Sequence, residues 1–208
     1  LINRTGKVFI VDEDVPGAIV PKLFCDNHQG GYLAGKHLAK FGHNKVVFVG
    51  GPEEMISTAR RYAGLEQGLR ERFGEDVEIT RYCGEYTVSS GRHAARRFLD
   101  EKLPASAIFA SSDEIAIGMI EVLYSEGVSI PDRVSVVGFD DVGPLHLFAP
   151  PLTAVRQPVR AIGARALSLL LQTDWQQSET LEREELLPVE LVVRSSVAPP
   201  AIEKTRRT

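Results

Sequence analysis

Hydrophobic positions along this chain follow two alternating patterns: short runs rich in β-branched residues, and longer stretches in which apolar residues recur every three or four positions. The first pattern is typical of buried strands and the second of amphipathic helices. Strands are predicted over 7–12, 22–25, 45–49, 77–82, 107–110, 135–139, 152–155 and 185–194, and helices over 27–41, 56–73, 89–101, 113–126 and 159–171. This alternation favours an α/β fold in which helices cover both faces of parallel sheets.

Residues that start and stop helices support these boundaries. Asp26 or Asn27 can cap the first predicted helix, and Gly42 ends it. Gly31 and Gly35 stand four residues apart on the same helix. Because glycine lets another backbone approach closely, this spacing indicates tight packing against a neighbouring helix.

Polar residues and glycines follow four of the predicted strands at the point where each strand ends. In chain order they are Asp12, Gly50-Gly51, Ser111-Ser112-Asp113 and Asp140-Asp141. The carboxyl ends of parallel strands meet at one edge of a sheet, and α/β proteins bind their ligands beyond that edge. The sequence therefore predicts a binding site there.

The adjacent acids Asp140 and Asp141 leave several kinds of chemistry open. They could act as general acid and base, as metal ligands, or as acceptors for hydroxyl groups, or they could simply form a turn or cap. A carboxylate accepts two hydroxyl hydrogen bonds in one plane, which suits adjacent hydroxyls of a sugar. The five histidines are scattered along the chain, so no metal site or cofactor is expected.

Two other motifs also have structural and functional interpretations. Ser111 with Glu114 fits a capping box, or Ser112 caps the helix directly, and either role is compatible with a ligand at the helix N-terminus. Arg60 and Arg61 could be solvated surface charges, or one could serve as a planar fork for a carboxylate, phosphate or diol. Nothing local separates these alternatives.

Composition argues against nucleic-acid binding through this chain and against a membrane-spanning protein. The chain has 208 residues, of which 43% are hydrophobic and 25% charged, with a net charge of −4, as in ordinary globular proteins. The chain has no excess of basic residues, which a nucleic-acid-binding face would usually show. No apolar run is long enough to cross a membrane. The first residues lack both a signal-peptide layout and an initiating Met, so a cytoplasmic fragment of a longer protein is expected.

The cysteines and the motif search point away from redox and enzyme chemistry. Cys25 and Cys83 form no CxxC pair, and we expect both to be buried free thiols in a reducing compartment. The chain contains no phosphate loop, G-x-S-x-G, H-E-x-x-H or G-x-G-x-x-G motif. An enzyme would have to rely on scattered titratable residues.

Four segments in order resemble a known family. "DNHQGGYLAGKHLAKFGHNKVVFVGG" resembles the D-N-x-x-G-G…A-x-x-H-L…G-H-x-x-I…G-G segment of transcriptional regulators of the lactose-repressor/galactose-repressor (LacI/GalR) type. "ARRYAGL", "PASAIFASSDEIAIGMIEVLYSEGVSIPDRVSVVGFDD" and "PPLTAVRQP" continue the match in the family's order and spacing. The resemblance covers about 8–197, nearly the whole chain.

That resemblance implies an α/β fold of the periplasmic-binding-protein-like type I, with two lobes of parallel sheet flanked by helices that close on a small molecule. The second lobe would span 26–155. Residues 1–25 and 156–208 would form a remnant of the first lobe with crossover strands and a tail, and the DNA-binding domain would be absent. Because an incomplete first lobe would expose strand edges and an apolar face, we expect the chain to associate or to be poorly stable. A monomer with a high, cooperative melting transition would contradict this expectation.

The resemblance also implies roles for individual residues. Arg61 matches the arginine that grips effector hydroxyls or a carboxylate, and Asp140 matches the acid that accepts sugar hydroxyls. Asp12 and Ser57 match nearby pocket positions.

Three further positions complete the expected ligand-binding set. Tyr86 falls where an aromatic ring packs on the effector, and Gln157 lies at the crossover beside the cleft. Ser112 stands where the family usually has Asn before Asp113. Because serine is shorter and has no amide, this difference affects both the contact and the expected ligand class.

The resemblance implies the effector-sensing and dimerisation core of a LacI-type regulator, with repressor the expected type. Its partners would be a small sugar-like effector, a second copy in a homodimer, and operator DNA bound through an N-terminal helix-turn-helix missing from this chain, with no membrane, metal or cofactor. Effector binding would shift the population between hinge angles. Two alternatives stay open: a periplasmic sugar-binding protein of an ABC transporter, and an α/β enzyme acting on a sugar through Asp140 and Asp141. Oligomeric state and sugar turnover would discriminate them.

Overall fold

A computed structural model describes residues 8–172 and 183–201. Strands and helices alternate in these ranges as predicted, and short 3₁₀ turns occupy Gly74–Asp76 and Leu145–Leu147. In chain order the elements are β1 (Ile10–Val11), β2 (Lys22–Cys25), α1 (Asn27–Phe41), β3 (Lys45–Gly50), α2 (Ile56–Phe73), β4 (Glu78–Cys83), α3 (Val88–Glu101), β5 (Ala107–Ala110), α4 (Asp113–Ser125), β6 (Ser135–Asp140), β7 (Thr153–Arg156), α5 (Val159–Gln172), β8 (Glu184–Leu187) and β9 (Glu190–Val192).

The strands form two sheets. A three-stranded parallel sheet has the order β1-β2-β8, and a six-stranded sheet has the order β4-β3-β5-β6-β7-β9. All neighbours in the larger sheet are parallel except β7 and β9, which are antiparallel. The predicted α/β class is therefore confirmed, with helices on both faces of a mainly parallel sheet.

The single strand predicted over 185–194 is wrong. The chain forms β8 in the smaller sheet and then β9 in the larger one, with Pro188 between them. Proline has no N–H to give to a strand ladder, so pairing stops there and the chain crosses to the other sheet. The apolar periodicity continues through both strands, which is why it suggested one element.

Side chains of the larger sheet alternate between two hydrophobic cores. Val47 and Val49 of β3 face the core under α3 and α4, whereas Val46 and Phe48 face the core under α1 and α2. Strands that are buried on both faces read as continuous apolar runs, and the two cores explain the apolar character of β3, β5 and β6.

Glycines bring α1 and α2 unusually close. A Cβ added at Gly31 would lie 2.0 Å from the carbonyl oxygen of Arg61, and one added at Gly64 would lie 2.0 Å from that of His28. Gly35 has the same relation to Leu65, at 2.4 Å. The close packing predicted from Gly31 and Gly35 is therefore present.

The two cysteines differ from the expectation. Both are free, and Cys25 is buried at the end of β2, where burial raises its pKa to about 11. Cys83 is exposed, so its predicted burial is wrong. It ends β4, the edge strand of the larger sheet, where alternate side chains face solvent.

Large apolar side chains are exposed on and beside the smaller sheet and along α5. They are Val11, Val15, Ile19, Leu186, Leu167, Leu170 and Leu171. Such exposure is consistent with the expected uncovered face, but association of the chain stays a prediction. Among the described residues, no helix is long and apolar enough to cross a membrane.

Replacing Gly64 with alanine tests the close crossing of α1 and α2. Because the new methyl would overlap the His28 carbonyl, we expect Gly64→Ala to lower the free energy of unfolding by about 1–3 kcal/mol in urea denaturation. Gly163→Ala is the matched control, since a Cβ at this exposed position of α5 meets no atom within 4 Å. Higher helix propensity should make that control neutral or more stable by up to about 1 kcal/mol. Equal urea-denaturation midpoints for the two variants would contradict the close approach of α1 and α2 at Gly64.

Candidate functional site

All seven residues predicted for the binding site line one cavity of about 250 Å³. It lies beyond the carboxyl ends of β1, β3, β4, β5, β6 and β7, and therefore at the edge where parallel sheets bind ligands. A wider groove of about 560 Å³ lies against α1, α2 and β9, and its walls contain none of the predicted residues. The cavity is lined by Asp12, Ser57, Arg61, Tyr86, Ser112, Asp140 and Gln157, together with Glu13, Met55 and Glu114.

Arg61 is a buried charge in the wall of this cavity. Only 5% of its surface is exposed, whereas Arg60 forms an exposed salt bridge with Glu184. The Nε atom of Arg61 donates to Asn27 Oδ1 at 2.7 Å, and Nη1 donates to the Ser111 carbonyl at 2.5 Å. Arg60 is therefore the surface charge, whereas Arg61 is buried in the cavity wall, and its use as a fork for a ligand stays a prediction.

Two further contacts stabilise the Arg61 guanidinium. Nη1 lies 3.8 Å from Asp140 Oδ1, and the guanidinium carbon lies 3.8 Å from the centroid of the Phe139 ring. The Tyr86 ring is 5.7 Å away. A buried cation needs such a combination of opposite charge, hydrogen bonds and ring faces, because desolvation alone would be costly.

Asp140 and Asp141 have opposite surroundings. Asp140 lines the cavity, where its Oδ1 accepts from Gln157 Nε2 at 2.6 Å and its Oδ2 accepts from the Asp113 N–H at 3.3 Å. The side chain of Asp141 is 2% exposed and is held by Arg156 and Arg194, with four N–O distances of 2.7–2.9 Å. One acid is therefore available to a ligand, and the other anchors the end of the strand.

The backbone turns sharply at these two acids. Their φ angles are +89° at Asp140 and +52° at Asp141, a region that aspartate tolerates better than most residues. Burial by itself would raise the pKa of Asp141, but hydrogen bonds from Arg194 and Arg156 outweigh burial and lower that pKa below its usual range. Asp141 is accordingly an ionised structural anchor rather than half of an acid–base pair.

Asp113 holds the chain that follows this turn. Its carboxylate accepts from the backbone N–H groups of Asp141, Val142 and Gly143, at 3.1, 3.0 and 2.7 Å. Burial raises the pKa of Asp113 despite these hydrogen bonds, and the nearby Asp140 charge raises it further. The preceding residue, Ser112, caps α4 by accepting from the Ile115 N–H at 3.2 Å. Of the two predicted capping arrangements, the structure contains the direct Ser112 cap.

A second hydrogen-bonded group joins the loop after β1, the start of α2 and the loop after β4. The Ser57 hydroxyl makes a short hydrogen bond to Glu13 Oε2, and the Ser57 N–H donates to Glu13 Oε1 at 3.4 Å. The Tyr86 hydroxyl lies 2.8 Å from Thr58 Oγ1 and 3.3 Å from Ser57 Oγ. Gly51 leaves room for this ring, since a Cβ there would lie 2.2 Å from it.

Sequence reasoning missed Glu13, Met55 and Glu114 as cavity residues. Glu13 directly follows Asp12, so the rule about residues at strand ends could have found it. The sequence predicts only a capping role for Glu114, and Met55 precedes α2 without any motif. Within 8–172 and 183–201, no group of three or more His, Cys, Asp or Glu side chains could hold a metal ion.

Comparison with known proteins identifies relatives along most of the chain. A family model described as "Periplasmic binding protein-like domain" matches residues 36–197. The HTH-type transcriptional repressor PurR of Mannheimia succiniciproducens is 35% identical over 84% of this chain and 52% of its own length. The HTH-type transcriptional regulator DegA of Bacillus subtilis is 30% identical over 92% of this chain and 56% of its own length. The chain therefore spans about half the length of these curated relatives.

Solved structures give the same picture. A LacI family transcriptional regulator from Enterococcus faecalis with bound ribose superposes with a TM-score of 0.77 and 31% identity, over 92% of this chain and 68% of that one. A dimeric Lac repressor with a C-terminal deletion has a TM-score of 0.78 and 26% identity, over 92% and 69%.

Removal of the Asp113 carboxylate tests its role at the turn after β6. Because Asp113→Ala leaves three backbone N–H groups without their acceptor, we expect the free energy of unfolding to fall by about 1–3 kcal/mol in urea denaturation. Asp100→Ala, at an exposed position of α3, is the control and should change it by less than about 0.5 kcal/mol. If both variants unfold at the midpoint of the unmodified chain, Asp113 does not hold the turn.

Proposed function

We propose an effector-sensing function, starting from the premise that this chain belongs to the periplasmic binding protein-like family and is an effector-binding domain of the LacI/GalR type. In this proposal the cavity binds a small sugar-like molecule, and binding controls how a longer, dimeric protein engages operator DNA. Repression and a cytoplasmic location are part of the same proposal. The names of the relatives support a regulator rather than a transport receptor or an enzyme.

The observation that carries the proposal is the meeting of Arg61 and Asp140 in one cavity with several hydroxyl groups. Asp140 can accept hydrogen bonds from ligand hydroxyls, and Arg61 can donate to ligand oxygens. Ser57, Tyr86 and Ser112 add hydroxyls that both donate and accept. Ribose bound in two structural relatives supports a polyhydroxylated ligand.

Contributions from both sheets give the cavity a means of sensing. Asp12 and Glu13 follow β1 of the smaller sheet, whereas Asp140 ends β6 of the larger sheet and Arg61 lies on α2, which packs against that sheet. A ligand that touches both groups favours the arrangement in which they are close, and so shifts the population between conformations. We take 26–155 as the second lobe and the flanking ranges 1–25 and 156–208 as the remainder of the first.

Ribose is the first ligand to test, by isothermal titration calorimetry. We expect Asp140→Ala and Arg61→Ala each to weaken binding by roughly ten- to hundredfold or more, because each removes a charged hydrogen-bonding partner. Arg92→Ala is the control, since Arg92 pairs with Glu121 on the outer surface of α3 and α4. Circular dichroism should confirm that each variant is folded.

The possible results of the titration test the ligand class, the site residues and the sensory role separately. If neither ribose nor any other pentose or hexose of a panel binds under the same conditions, the sugar-like ligand is rejected. Unchanged sugar affinity in both Asp140→Ala and Arg61→Ala would reject the site assignment. Chemical conversion of a bound sugar during the titration would reject a purely sensory role.

A further inference from the structure

Acidic groups dominate the proposed binding cavity. Four carboxylates line it and only one guanidinium, so acids exceed bases by three among the described lining residues. In a cavity of about 250 Å³ these charges lie close to any bound molecule. Solvent screens the half-buried Glu13 and Asp140 less than it screens Asp12 and Glu114, which are exposed. The lining acids are Asp12, Glu13, Glu114 and Asp140, and the base is Arg61.

The charge of the single lining cation is partly opposed by groups of the protein. Arg61 is buried, lies 3.8 Å from Asp140 Oδ1, and donates hydrogen bonds to Asn27 and to the Ser111 carbonyl. Its charge is therefore already opposed within the protein. Among the described residues no hydrogen bond uses Nη2, so a phosphate or carboxylate can reach Arg61 but shares its charge with Asp140.

The two helix N-termini at the cavity are also occupied by the chain's own acceptors. At the start of α2, the Ser57 N–H donates to Glu13 Oε1 at 3.4 Å. At the start of α4, the Asp113 N–H donates to Asp140 Oδ2 and the Ile115 N–H donates to Ser112 Oγ. Helix N-termini usually attract anions, but these three donors face acidic or polar side chains instead.

Two of the carboxylates, those of Asp12 and Glu114, are exposed to solvent. Within residues 8–172 and 183–201, no hydrogen bond or salt bridge reaches the side chain of Asp12 or of Glu114. Desolvation raises the pKa of Asp12, Arg61 opposes that rise, and the charges of Asp140 and Glu13 reinforce it. Ionised carboxylates only accept hydrogen bonds, so a ligand that displaces water from these exposed groups must supply donors in its place.

We propose that this cavity selects a polyhydroxylated ligand that carries a protonated amine, binds neutral sugars more weakly, and rejects sugars that carry phosphate or carboxylate groups. The ammonium group supplies both the positive charge and the donors that the acidic lining lacks, while hydroxyls meet Arg61 and Ser57. This inference rests on the proposed sugar-sensing function and defines its ligand class by charge.

Two matched series of compounds test the proposal by isothermal titration calorimetry. The hexose series is glucosamine, glucose and glucose 6-phosphate, and the pentose series is 1,4-dideoxy-1,4-imino-D-ribitol, ribose and ribose 5-phosphate. In the series that fits the cavity, we expect the amine to bind at least about tenfold more tightly than the neutral sugar. The phosphorylated compound should bind at least about tenfold more weakly than the neutral one.

Neutralising the unpartnered acids should remove this preference. Asp12→Asn and Glu114→Gln together should bring the affinity ratio of amine to neutral sugar close to one. Glu126→Gln is the matched control, because Glu126 is an exposed acid at the opposite end of α4, and it should leave the ratio unchanged.

The possible failures differ from one another. An amine that binds no more tightly than the neutral sugar, or a phosphorylated sugar that binds as tightly as either, would overturn the charge preference and leave the sugar site standing. A preference that survives the double substitution would overturn its assignment to Asp12 and Glu114. Absence of binding by all six compounds would overturn both the sugar site and the amine preference.

Discussion

The buried guanidinium of Arg61 is the group around which the site is built. A charge with 5% exposure is tolerated only where the surroundings supply acceptors and opposite charge, and here they come from Asn27 at the start of α1, Ser111 after β5 and Asp140 at the end of β6. One side chain thus holds three separate parts of the chain at fixed distances. These contacts require α2 to lie close to α1, and the glycines between the two helices permit that approach.

Most of the fold was predictable because its strands are short and apolar and its helices are bounded by capping residues. The structure keeps the predicted boundaries to within one or two residues for most elements. The errors arose where tertiary position decides the outcome. The apolar pattern over 185–194 carries no mark of a change of sheet other than Pro188, and Cys83 is exposed only because β4 lies at a sheet edge.

The location of the site was predictable, because parallel strands end at one edge of a sheet. The hydrogen bonds and ion pairs among its side chains were not predictable. Residues at the ends of parallel strands must gather at one edge, so the seven predicted residues meet in one cavity, although their contact with a ligand stays a prediction. Sequence could not assign different roles to Asp140 and Asp141, because both follow the same strand and share one residue type. Their difference depends on Arg156 and Arg194, of which Arg194 lies more than fifty residues away.

Adjacent placement of these two acids has a consequence for the entropy of binding. Asp141 is fixed by two arginines, and Asp113 fixes the backbone that follows it, so the neighbouring Asp140 has little freedom to lose. Gln157 further restricts the Asp140 carboxylate through a hydrogen bond of 2.6 Å. Under the proposed function, a ligand would meet an acceptor that is already ordered, and the free energy of its contact would not be diminished by immobilising a loop.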